Sequence, residues 1–462
     1  MQGLFLSPIF MFYFFLRIYY NDYNCCFSEV FMEQSTEKKR DYAVLVGLRS
    51  PVLGADSADE ESMEELAALV DTAGGQVVGM ILQGRDKPDP HSFIGEGKVE
   101  EVKQMVTDNE ATMVIFDNDL SPSQIRVLTE LTGVQVIDRS GLILDIFAQR
   151  ARTKEGCLQV ELAQYQYLLP RLVGMWTHLE RQAGTSGKGP IGSKGPGETQ
   201  LETDRRHIHR KIDKLKAELE EVRRVRGTQR QRRMKNEIPV VAIVGYTNAG
   251  KSTLLNALTG AAIPANNRLF DTLDTTTRLL TVSDTLDVVI SDTVGFIRKL
   301  PHQLVEAFKA TLEELEYADL LLHVIDASHP QWLTQQSIVD DLIRELGAEH
   351  IPCIRVYNKS DLAFSGEWPR QENTVSISAK TGEGLDELLS LIDRKLDKGK
   401  RRVTIHLPYD KTGLLDELYR EGKVESVEYG ETVDVTVVCP PRLLGRMQDY
   451  IEDWHPPKED WE

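Results

Sequence analysis

The chain has 462 residues, 41% of them hydrophobic and 27% charged, which suits three or four globular domains. Its net charge of −18 argues against nonspecific binding of nucleic acid by the whole surface, so any basic segment is informative. The five cysteines show neither metal-binding spacing nor a disulfide framework, which favours a reducing compartment.

Residues 1–32 form a hydrophobic extension that fits no targeting pattern. Residues 4–16 are mostly aromatic or aliphatic, but a membrane span needs about 20 residues. A signal peptide is not indicated, because the first three residues carry no positively charged side chain and no small-residue cleavage site is evident. We favour a start-site artefact, with translation beginning at Met32. A membrane anchor and a partner-binding segment are the alternatives.

Residues 33–150 are predicted to form a small α/β domain with a parallel sheet. Strand patterns at 41–48, 76–82, 113–117 and 134–137 alternate with helical patterns at 62–72, 99–109 and 121–132. The turn at 94–98, IGEGK, resembles a phosphate loop only weakly, and we interpret it as a helix start.

Residues 151–237 are predicted to form a long antiparallel helical hairpin. Apolar residues recur three and four apart over 158–172 and again over 208–225, as in a coiled-coil seam. Pro170 is expected to kink the first helix. The glycine-rich segment at 184–197 contains Lys188 and Lys194 but no acidic residue, so it reads either as a flexible linker or as a reaching tip loop.

The second helix of this hairpin carries a strong charge asymmetry. Residues 204–235 contain thirteen Lys or Arg and five Asp or Glu, a local charge of +8 that leaves −26 for the rest of the chain. A solvated helix face is the simpler explanation, but it does not require one sign of charge. A basic arm on an acidic protein predicts local contact with nucleic-acid phosphates.

Residues 238–398 are predicted to form a nucleotide-binding domain. The apolar run at 240–244 leads into GYTNAGKS at 245–252, which fits the pattern G-x-x-x-x-G-K-[ST], and a helical pattern follows. Backbone N–H groups of such a loop cradle phosphates. Lys251 is expected to contact the β- and γ-phosphates, and Ser252 to bind Mg²⁺.

Further motifs follow predicted strands in the order of a GTP-binding domain. After the strand at 288–291, Asp292 can hold Mg²⁺ through water and the Gly295 N–H can meet the γ-phosphate. After the strand at 353–357, Asn358 and Asp361 can read the edge of guanine and reject adenine. The motif at 378–380, SAK, supports the base. These motifs predict a doubly wound, mostly parallel sheet with the ligand at the carboxyl ends of its strands.

The switch segments are less regular. Residues 270–278 offer four threonines, and spacing alone does not select the one that closes on Mg²⁺. Phe296 follows Gly295, where Ras-like enzymes place a glutamine that orients the attacking water. Phenylalanine cannot hydrogen-bond water, so we predict slow intrinsic hydrolysis. The missing group would come from the backbone, another loop or a partner. The last residues, 399–462, alternate as strand, helix, strand, strand and helix, which predicts a small α+β domain.

Taken together, these motifs resemble the HflX family of translational GTPases over roughly residues 41–450. The resemblance is carried by residues 137–139 and 142–152 (LILDIFAQRAR), 159–164 (QVELAQ), 171–172, 195–202 (GPGETQLE), 204–206, 245–252, 273–274, 276–278 and 292–297 (DTVGFI). The family's first switch resembles F-A-T-L-D, which implies that Thr272 is the Mg²⁺ ligand. Asp271 departs from the family's alanine and Thr275 from its usual proline, while Phe296 is itself a mark of the family.

The resemblance implies a GTPase that uses Mg²⁺ and binds the large ribosomal subunit. In this family the N-terminal domain and hairpin bind ribosomal RNA near the peptidyl-transferase centre, the tip loop reaches deepest, and the ribosome stimulates hydrolysis. Members dissociate stalled or idle ribosomes under stress. We therefore expect a cytoplasmic monomer without DNA binding or stable membrane insertion, with partial membrane association left open. The alternative is a slow regulatory GTP switch that recruits a protein or membrane partner; an ATP-driven enzyme fits poorly.

The predicted site residues fall into three overlapping groups. The catalytic residues are Lys251, Thr272 and Gly295, and the metal ligands are Ser252 and Thr272. The residues expected to hold GTP or GDP are Gly245, Tyr246, Thr247, Asn248, Ala249, Gly250, Lys251, Ser252, Phe270, Asp271, Thr272, Leu273, Asp274, Asp292, Thr293, Val294, Gly295, Asn358, Lys359, Ser360, Asp361, Ser378, Ala379 and Lys380.

Overall fold

The computed structural model describes residues 40–171, 196–235, 238–260, 269–270, 276–283, 286–300, 315, 317–362, 369, 371–396, 401–411, 413–430 and 432–451. Several predictions lie outside these residues: the extension at 1–32, the tip loop up to residue 195, and the site residues Asp271, Thr272, Leu273 and Asp274. Among the helices described, none combines the length and the apolar composition that a membrane crossing requires.

The N-terminal α/β domain is built on a parallel sheet, as its alternating pattern predicts. Its strands are β1 (Tyr42–Arg49), β2 (Gln76–Gly84), β3 (Met113–Phe116) and β4 (Gln135–Asp138), in the order β2-β1-β3-β4. Its helices are α1 (Glu60–Ala73), α2 (Glu96–Asp108), α3 (Pro122–Thr132) and α4 (Arg139–Arg150). Helices α1 and α4 cover one face of the sheet, and α2 and α3 cover the other. Gly95 serves as the N-cap of α2, a plain helix start.

Two long helices follow, α5 (Lys154–Leu168) and α6 (Pro196–Lys235), and they pack against each other. Most of the predicted seam residues are buried: Leu158, Leu162 and Tyr165 on α5, and Ile208, Ile212, Leu215 and Leu219 on α6. Leu169 and Val222 are only partly buried and Val225 is 49% exposed, so the buried seam is shorter than predicted. The kink predicted at Pro170 stays a prediction, because the chain directly after Arg171 lies outside the described residues. Helix α5 ends at Leu168, and the Arg171 N–H closes a turn onto the Leu168 carbonyl at 2.8 Å. Proline has no N–H to continue the helix, and its ring crowds the preceding turn.

The nucleotide domain is a doubly wound sheet flanked by helices, as predicted. Its strands are β5 (Val240–Gly245), β6 (Thr276–Ser283), β7 (Leu286–Asp292), β8 (Leu320–Asp326), β9 (Cys353–Asn358) and β10 (Thr374–Ser376), in the order β10-β9-β8-β5-β7-β6 with β6 antiparallel. Helices α7 (Lys251–Thr259) and α9 (Leu385–Leu396) pack on one face, and α8 (Trp332–Glu345) packs on the other. Sequence analysis did not predict β6, α8 or α9.

The C-terminal domain has the predicted α+β order. It contains β11 (Arg401–Leu407), α10 (Gly413–Glu421), β12 (Lys423–Tyr429), β13 (Val433–Cys439) and α11 (Pro441–Met447). The antiparallel sheet has the order β11-β13-β12, and apolar residues of both helices join its core. Ile451 adds an isolated antiparallel bridge to Ile405 on β11.

One apolar cluster runs from the N-terminal domain into the nucleotide domain. It contains Phe147 of α4 together with Tyr246, Phe270 and Phe296, which belong to the predicted phosphate loop and switches. The Phe147 and Phe270 rings meet edge to face, with centroids 4.6 Å apart. The predicted nucleotide site therefore lies where two domains are packed together.

Candidate nucleotide-binding site

The phosphate loop connects the end of β5 to the start of α7 through the glycines that its motif requires. Gly250 has a φ of +93°, and a Cβ there would lie 2.2 Å from Nδ2 of Asn358, so a side chain would not fit. The hydroxyl of Thr247 is buried and has no hydrogen-bond partner within the described structure. A buried, unsatisfied hydroxyl in a glycine-lined loop fits a loop that receives an oxygen-rich ligand.

Lys251 begins α7 and is only 6% exposed. Its Nζ donates to the carbonyl oxygen of Tyr246 at 2.8 Å, inside the loop. Burial lowers the pKa of Lys251 to about 8, against the opposing effect of the Asp292 charge. A desolvated ammonium at this position would gain strongly from a phosphate oxygen.

Ser252 and Asp292 come together from two different elements. Strand β7 pairs with β5, so Asp292 at its end lies beside the loop that follows β5. The Ser252 hydroxyl donates to Oδ2 of Asp292 at 2.7 Å, and Asp292 is fully buried. A hydroxyl and a carboxylate are the hard oxygen groups that Mg²⁺ prefers, so this pair fits the predicted metal position.

The second switch, the segment at 292–297 that contains Gly295 and Phe296, lies directly on the phosphate loop. A Cβ on Gly295 would lie 3.0 Å from Nζ of Lys251 and 2.8 Å from Cγ2 of Thr247. The Thr247 N–H donates to the Phe296 carbonyl at 2.8 Å, and the Phe296 N–H donates to the Gly245 carbonyl at 3.2 Å. Phe296 is 2% exposed, with its ring in the apolar cluster. Gly295 and Lys251 are thus as close as glycine permits.

The guanine motif is joined to the phosphate loop by Asn358. Its Nδ2 donates to the Ala249 carbonyl at 2.8 Å, and its Oδ1 accepts the Ala379 N–H at 2.9 Å. The Ser378 hydroxyl donates to Oδ1 of Asp361 at 2.7 Å. An amide nitrogen carries two hydrogens, so the Ala249 contact does not exhaust the donors of Asn358. These bonds bring together the residues predicted to hold the base.

Other predicted residues frame this arrangement. Lys359 has a φ of +63° and its Nζ donates to Oδ2 of Asp326 at 2.6 Å, while the Ser360 N–H donates to the Ile377 carbonyl at 3.1 Å. The Thr293 hydroxyl donates to the Ile243 carbonyl at 2.7 Å. Phe270 is buried and has a φ of +57°.

Sequence analysis missed the contacts that the N-terminal domain makes with the site. The Tyr246 hydroxyl donates to Glu65 of α1 and accepts the Arg298 N–H at 2.9 Å. The Arg298 guanidinium pairs with Asp59, the N-cap of α1, at 2.9 Å. No short-range pattern announces these pairs, because their members lie more than 180 residues apart in the chain.

A buried ion cluster continues from this contact. The Lys299 ammonium pairs with Asp117, which also pairs with Arg139 at 2.8 Å. Arg139 is 1% exposed and pairs with Glu65 as well. Burial alone would raise the pKa of Asp117, but the charges of Arg139 and Lys299 outweigh it and hold that pKa below its ordinary value. The Asp117 carboxyl is therefore ionised at neutral pH.

Four sequence models of protein families match the chain in succession. They are described as GTP-binding GTPase N-terminal (residues 60–148), GTP-binding GTPase Middle Region (residues 150–233), 50S ribosome-binding GTPase (residues 240–359) and HflX C-terminal domain (residues 366–445). Their succession spans the domains described above.

Whole-length relatives agree with this order. The chain is 47% identical over 425 residues to the GTPase HflX of Caldanaerobacter subterraneus subsp. tengcongensis, covering 91% of this chain and 95% of that protein. It is 46% identical over 390 residues to the GTPase HflX of Escherichia coli, covering 83% and 90%. Among solved structures, a GTP-binding protein from the archaeon Sulfolobus solfataricus in complex with GDP matches 77% of this chain and 98% of that one, at 26% identity and a TM-score of 0.40.

Proposed function

The chain belongs to the HflX family of GTPases, and we propose that it hydrolyses GTP slowly alone and faster on the large ribosomal subunit. We further propose that this activity serves to dissociate or recycle stalled and idle ribosomes in the cytoplasm. The GTP hydrolase activity follows from the family; the rate, the partner and the task are the proposal.

The phosphate loop and Lys251 bind and orient the polyphosphate. Backbone N–H groups of the loop that are not bonded within it would bind the phosphates at the start of α7, where the helix dipole also favours negative charge. Lys251 carries its ammonium on a buried stem, so its charge acts in a low-dielectric site. The Gly295 N–H is assigned to the γ-phosphate, whose charge grows in the transition state.

Ser252, Thr272 and Asp292 are assigned to the magnesium ion that accompanies GTP. Ser252 and Thr272 would supply hydroxyl ligands, and Asp292 would act through water. The ion would neutralise charge on the β- and γ-phosphates. The 2.7 Å contact between Ser252 and Asp292 supports this assignment for the described pair.

Asn358 and Asp361 are assigned to guanine. The Asp361 carboxylate would accept from N1–H and the exocyclic amine, and Asn358 would donate to the O6/N7 edge. Adenine lacks those groups and would leave the carboxylate unpaired, so it is rejected. The bonds from Ser378 to Asp361 and from Ala379 to Asn358 hold both side chains in place and support this role.

Phe296 is the observation that supports slow unassisted hydrolysis. It stands where a water-orienting glutamine would stand, and its ring is buried in the apolar cluster with no polar atom to offer. Its backbone N–H and carbonyl are both used in bonds to the phosphate loop. A partner that places a polar group near the γ-phosphate would therefore raise the rate.

The surface of α6 supports a ribosomal RNA partner. Its apolar residues Ile208, Ile212, Leu215 and Leu219 are buried. Arg205, Arg206 and Arg210 are exposed, and no acidic side chain of the described residues pairs with them. Exposed guanidinium groups without a described acidic partner are suited to phosphate oxygens.

The proposal is tested by GTP turnover of the full chain with and without purified large ribosomal subunits. We expect slow turnover alone and a rise of at least tenfold with subunits, because a group supplied by a GTPase partner can raise turnover by about 10³ or more. Equal turnover in both conditions would overturn the proposal. A variant beginning at Met32, assayed in the same way and fractionated from cells, tests the alternative of a membrane-recruited switch.

A further inference from the structure

Asp138 ends strand β4 and the adjacent Arg139 begins helix α4, and their side chains bind different partners. Asp138 faces the C-terminal end of α5 and accepts the Tyr167 hydroxyl at 2.6 Å and the Arg171 guanidinium at 2.8 Å. Arg139 pairs with Asp117 and Glu65, which in turn contact Lys299 and Tyr246 of the nucleotide domain. One peptide bond joins the two residues, so a displacement of either one moves the other.

The hairpin side of this junction is tightly determined. Asp138 is fully buried and also accepts the N–H of Gly141, which caps α4, at 2.9 Å. The Arg171 guanidinium stacks over the Tyr167 ring at 3.5 Å. A Cβ on Gly141 would lie 2.8 Å from the Tyr167 hydroxyl, so only glycine lets α5 approach this closely. Asp138 thus holds the C-terminal end of α5 against the N-terminal domain.

The contacts toward the nucleotide domain are also buried. Asp117 is 1% exposed and accepts the Ser62 hydroxyl at 2.8 Å in addition to its two cations. The Lys299 side chain is 8% exposed, so its pair with Asp117 is desolvated. Separating a buried pair leaves an uncompensated charge, and Arg139 would have to shift to restore the balance.

The second switch supplies the moving part. Gly295 stands beside Lys251 and Thr247: a Cβ added to it would lie 3.0 Å from Nζ of Lys251 and 2.8 Å from Cγ2 of Thr247. Because Lys251 and the Gly295 N–H are both assigned to the γ-phosphate, GTP would move Gly295 relative to Lys251. Lys299 lies only four residues further along the chain. The hydrogen bond from the Arg298 N–H to the Tyr246 hydroxyl would then break. The ion pair between Lys299 and Asp117 would either break or displace Asp117. A switch with two positions is what coupling between sites requires.

We propose that Asp138 and Arg139 are positioning residues that couple the second switch to the C-terminal end of α5, in the first arm of the hairpin. The bound nucleotide then changes how the hairpin grips RNA, and RNA contact changes the preference for GTP over GDP by the same factor, because binding linkage is reciprocal. This inference rests on the proposed function, in which the hairpin contacts the large ribosomal subunit.

The test compares Tyr167→Phe with Tyr165→Phe in the full chain. Tyr167→Phe removes the hydroxyl that Asp138 accepts but keeps the ring beneath Arg171. Tyr165 lies on the same helix and is 6% exposed, so the same substitution there is a matched control. Affinity for purified large subunits is measured with saturating GDP and with a non-hydrolysable GTP analogue. The ratio of the two affinities is the coupling factor.

For the wild-type chain we expect a coupling factor of about fivefold or more. Tyr167→Phe should reduce it by about threefold or more, while Tyr165→Phe leaves it unchanged. Nucleotide affinity in the absence of subunits should be the same in all three proteins, which separates lost coupling from a damaged fold. A factor unchanged by Tyr167→Phe would overturn the inference alone. A wild-type factor near one would also overturn the inference, whereas the proposed function fails only if large subunits leave GTP turnover unchanged.

A double variant sharpens the result. Lys299→Met breaks the other end of the path, so by itself it should also reduce the coupling factor. Because either break interrupts the same path, Tyr167→Phe combined with Lys299→Met should reduce the factor no further than the stronger single variant. Reductions that multiply would show two independent effects and would contradict a shared junction.

Discussion

At the scale of single residues, Lys251 gives the nucleotide site a measurable pH dependence. Burial lowers its pKa to about 8, whereas phosphate binding requires the protonated ammonium. Above that pKa, binding must take up a proton, so affinity falls as the pH rises. Between pH 7 and 8.5 we expect the affinity for GDP to fall about fourfold, measured by calorimetry or a fluorescent analogue.

The control for this prediction is Lys251→Arg. A guanidinium keeps its charge throughout this range, so the pH profile of that variant should be flat whatever its absolute affinity. A wild-type profile that is flat to pH 9 would show that the ammonium keeps an ordinary pKa in the loop.

Asp361 carries the prediction about base specificity. Its carboxylate is already oriented by the Ser378 hydroxyl. Asp361→Asn replaces an acceptor by a donor facing N1–H, so GTP affinity should fall by about 10- to 100-fold, as expected when a charged hydrogen bond is lost. Affinity for a xanthine nucleotide should rise in the same variant. Unchanged GTP affinity would remove Asp361 from base reading.

Sequence alone could predict the residues whose spacing is set by the ligand. Lys251, Ser252 and Asp361 stand at fixed offsets from glycines and strands, because a polyphosphate and a guanine impose that geometry. It could not predict that Asn358 also bonds the Ala249 carbonyl, or that Tyr246 bonds Glu65. Those partners lie more than a hundred residues apart, and only the packed fold brings them together.

At the scale of elements, the second switch is held against the phosphate loop by Tyr246. The Tyr246 hydroxyl accepts the Arg298 N–H at 2.9 Å in the position where Gly295 approaches Lys251. Tyr246→Phe removes that bond and keeps the ring. The position with Gly295 next to Lys251, which we call the closed position, would lose about 1 kcal/mol of stabilising free energy. We expect the affinity for a non-hydrolysable GTP analogue, relative to GDP, to rise about fivefold.

The internal control for Tyr246→Phe is the affinity for GDP, which does not require the switch to open and should stay the same. A ratio that stays constant or falls would show that the closed position does not oppose the γ-phosphate. Equilibrium titration of both nucleotides against the same protein preparation gives the ratio directly.

The elements themselves were predicted unevenly. The buried strand before the phosphate loop and the seam of the hairpin have strong periods, and both are found. Strand β6 was missed because it lies at the sheet edge, where its mixed exposed and buried residues give no clear alternation. Helix α5 ends at Leu168, two residues before Pro170, and the predicted kink stays a prediction because residues 172–195 lie outside the described part of the chain.

At the scale of the whole molecule, positive charge is concentrated on α6, and the N-terminal domain is packed against the nucleotide site. The chain is acidic as a whole, yet residues 204–235 carry a charge of +8 on one long helix. A continuous apolar cluster and the Asp117 ion cluster tie the N-terminal domain to the nucleotide site. The basic arm and the GTP site therefore belong to one packed structure, as a GTPase controlled by RNA contact requires.

The most direct measurement is stimulated GTP turnover of a variant in which Arg205, Arg206 and Arg210 are replaced by Gln. A matched control carries the same three changes at exposed arginines of other helices, Arg344, Arg394 and Arg420. We expect the α6 variant to bind large ribosomal subunits more weakly than the wild type. The slope of its log affinity against log salt concentration should be smaller by about three, one for each lost phosphate contact. At limiting subunit concentration its GTP turnover should not be stimulated. The control should match the wild type, and turnover without subunits should be equal in all three. Equal stimulation of the α6 variant and the control would contradict the account.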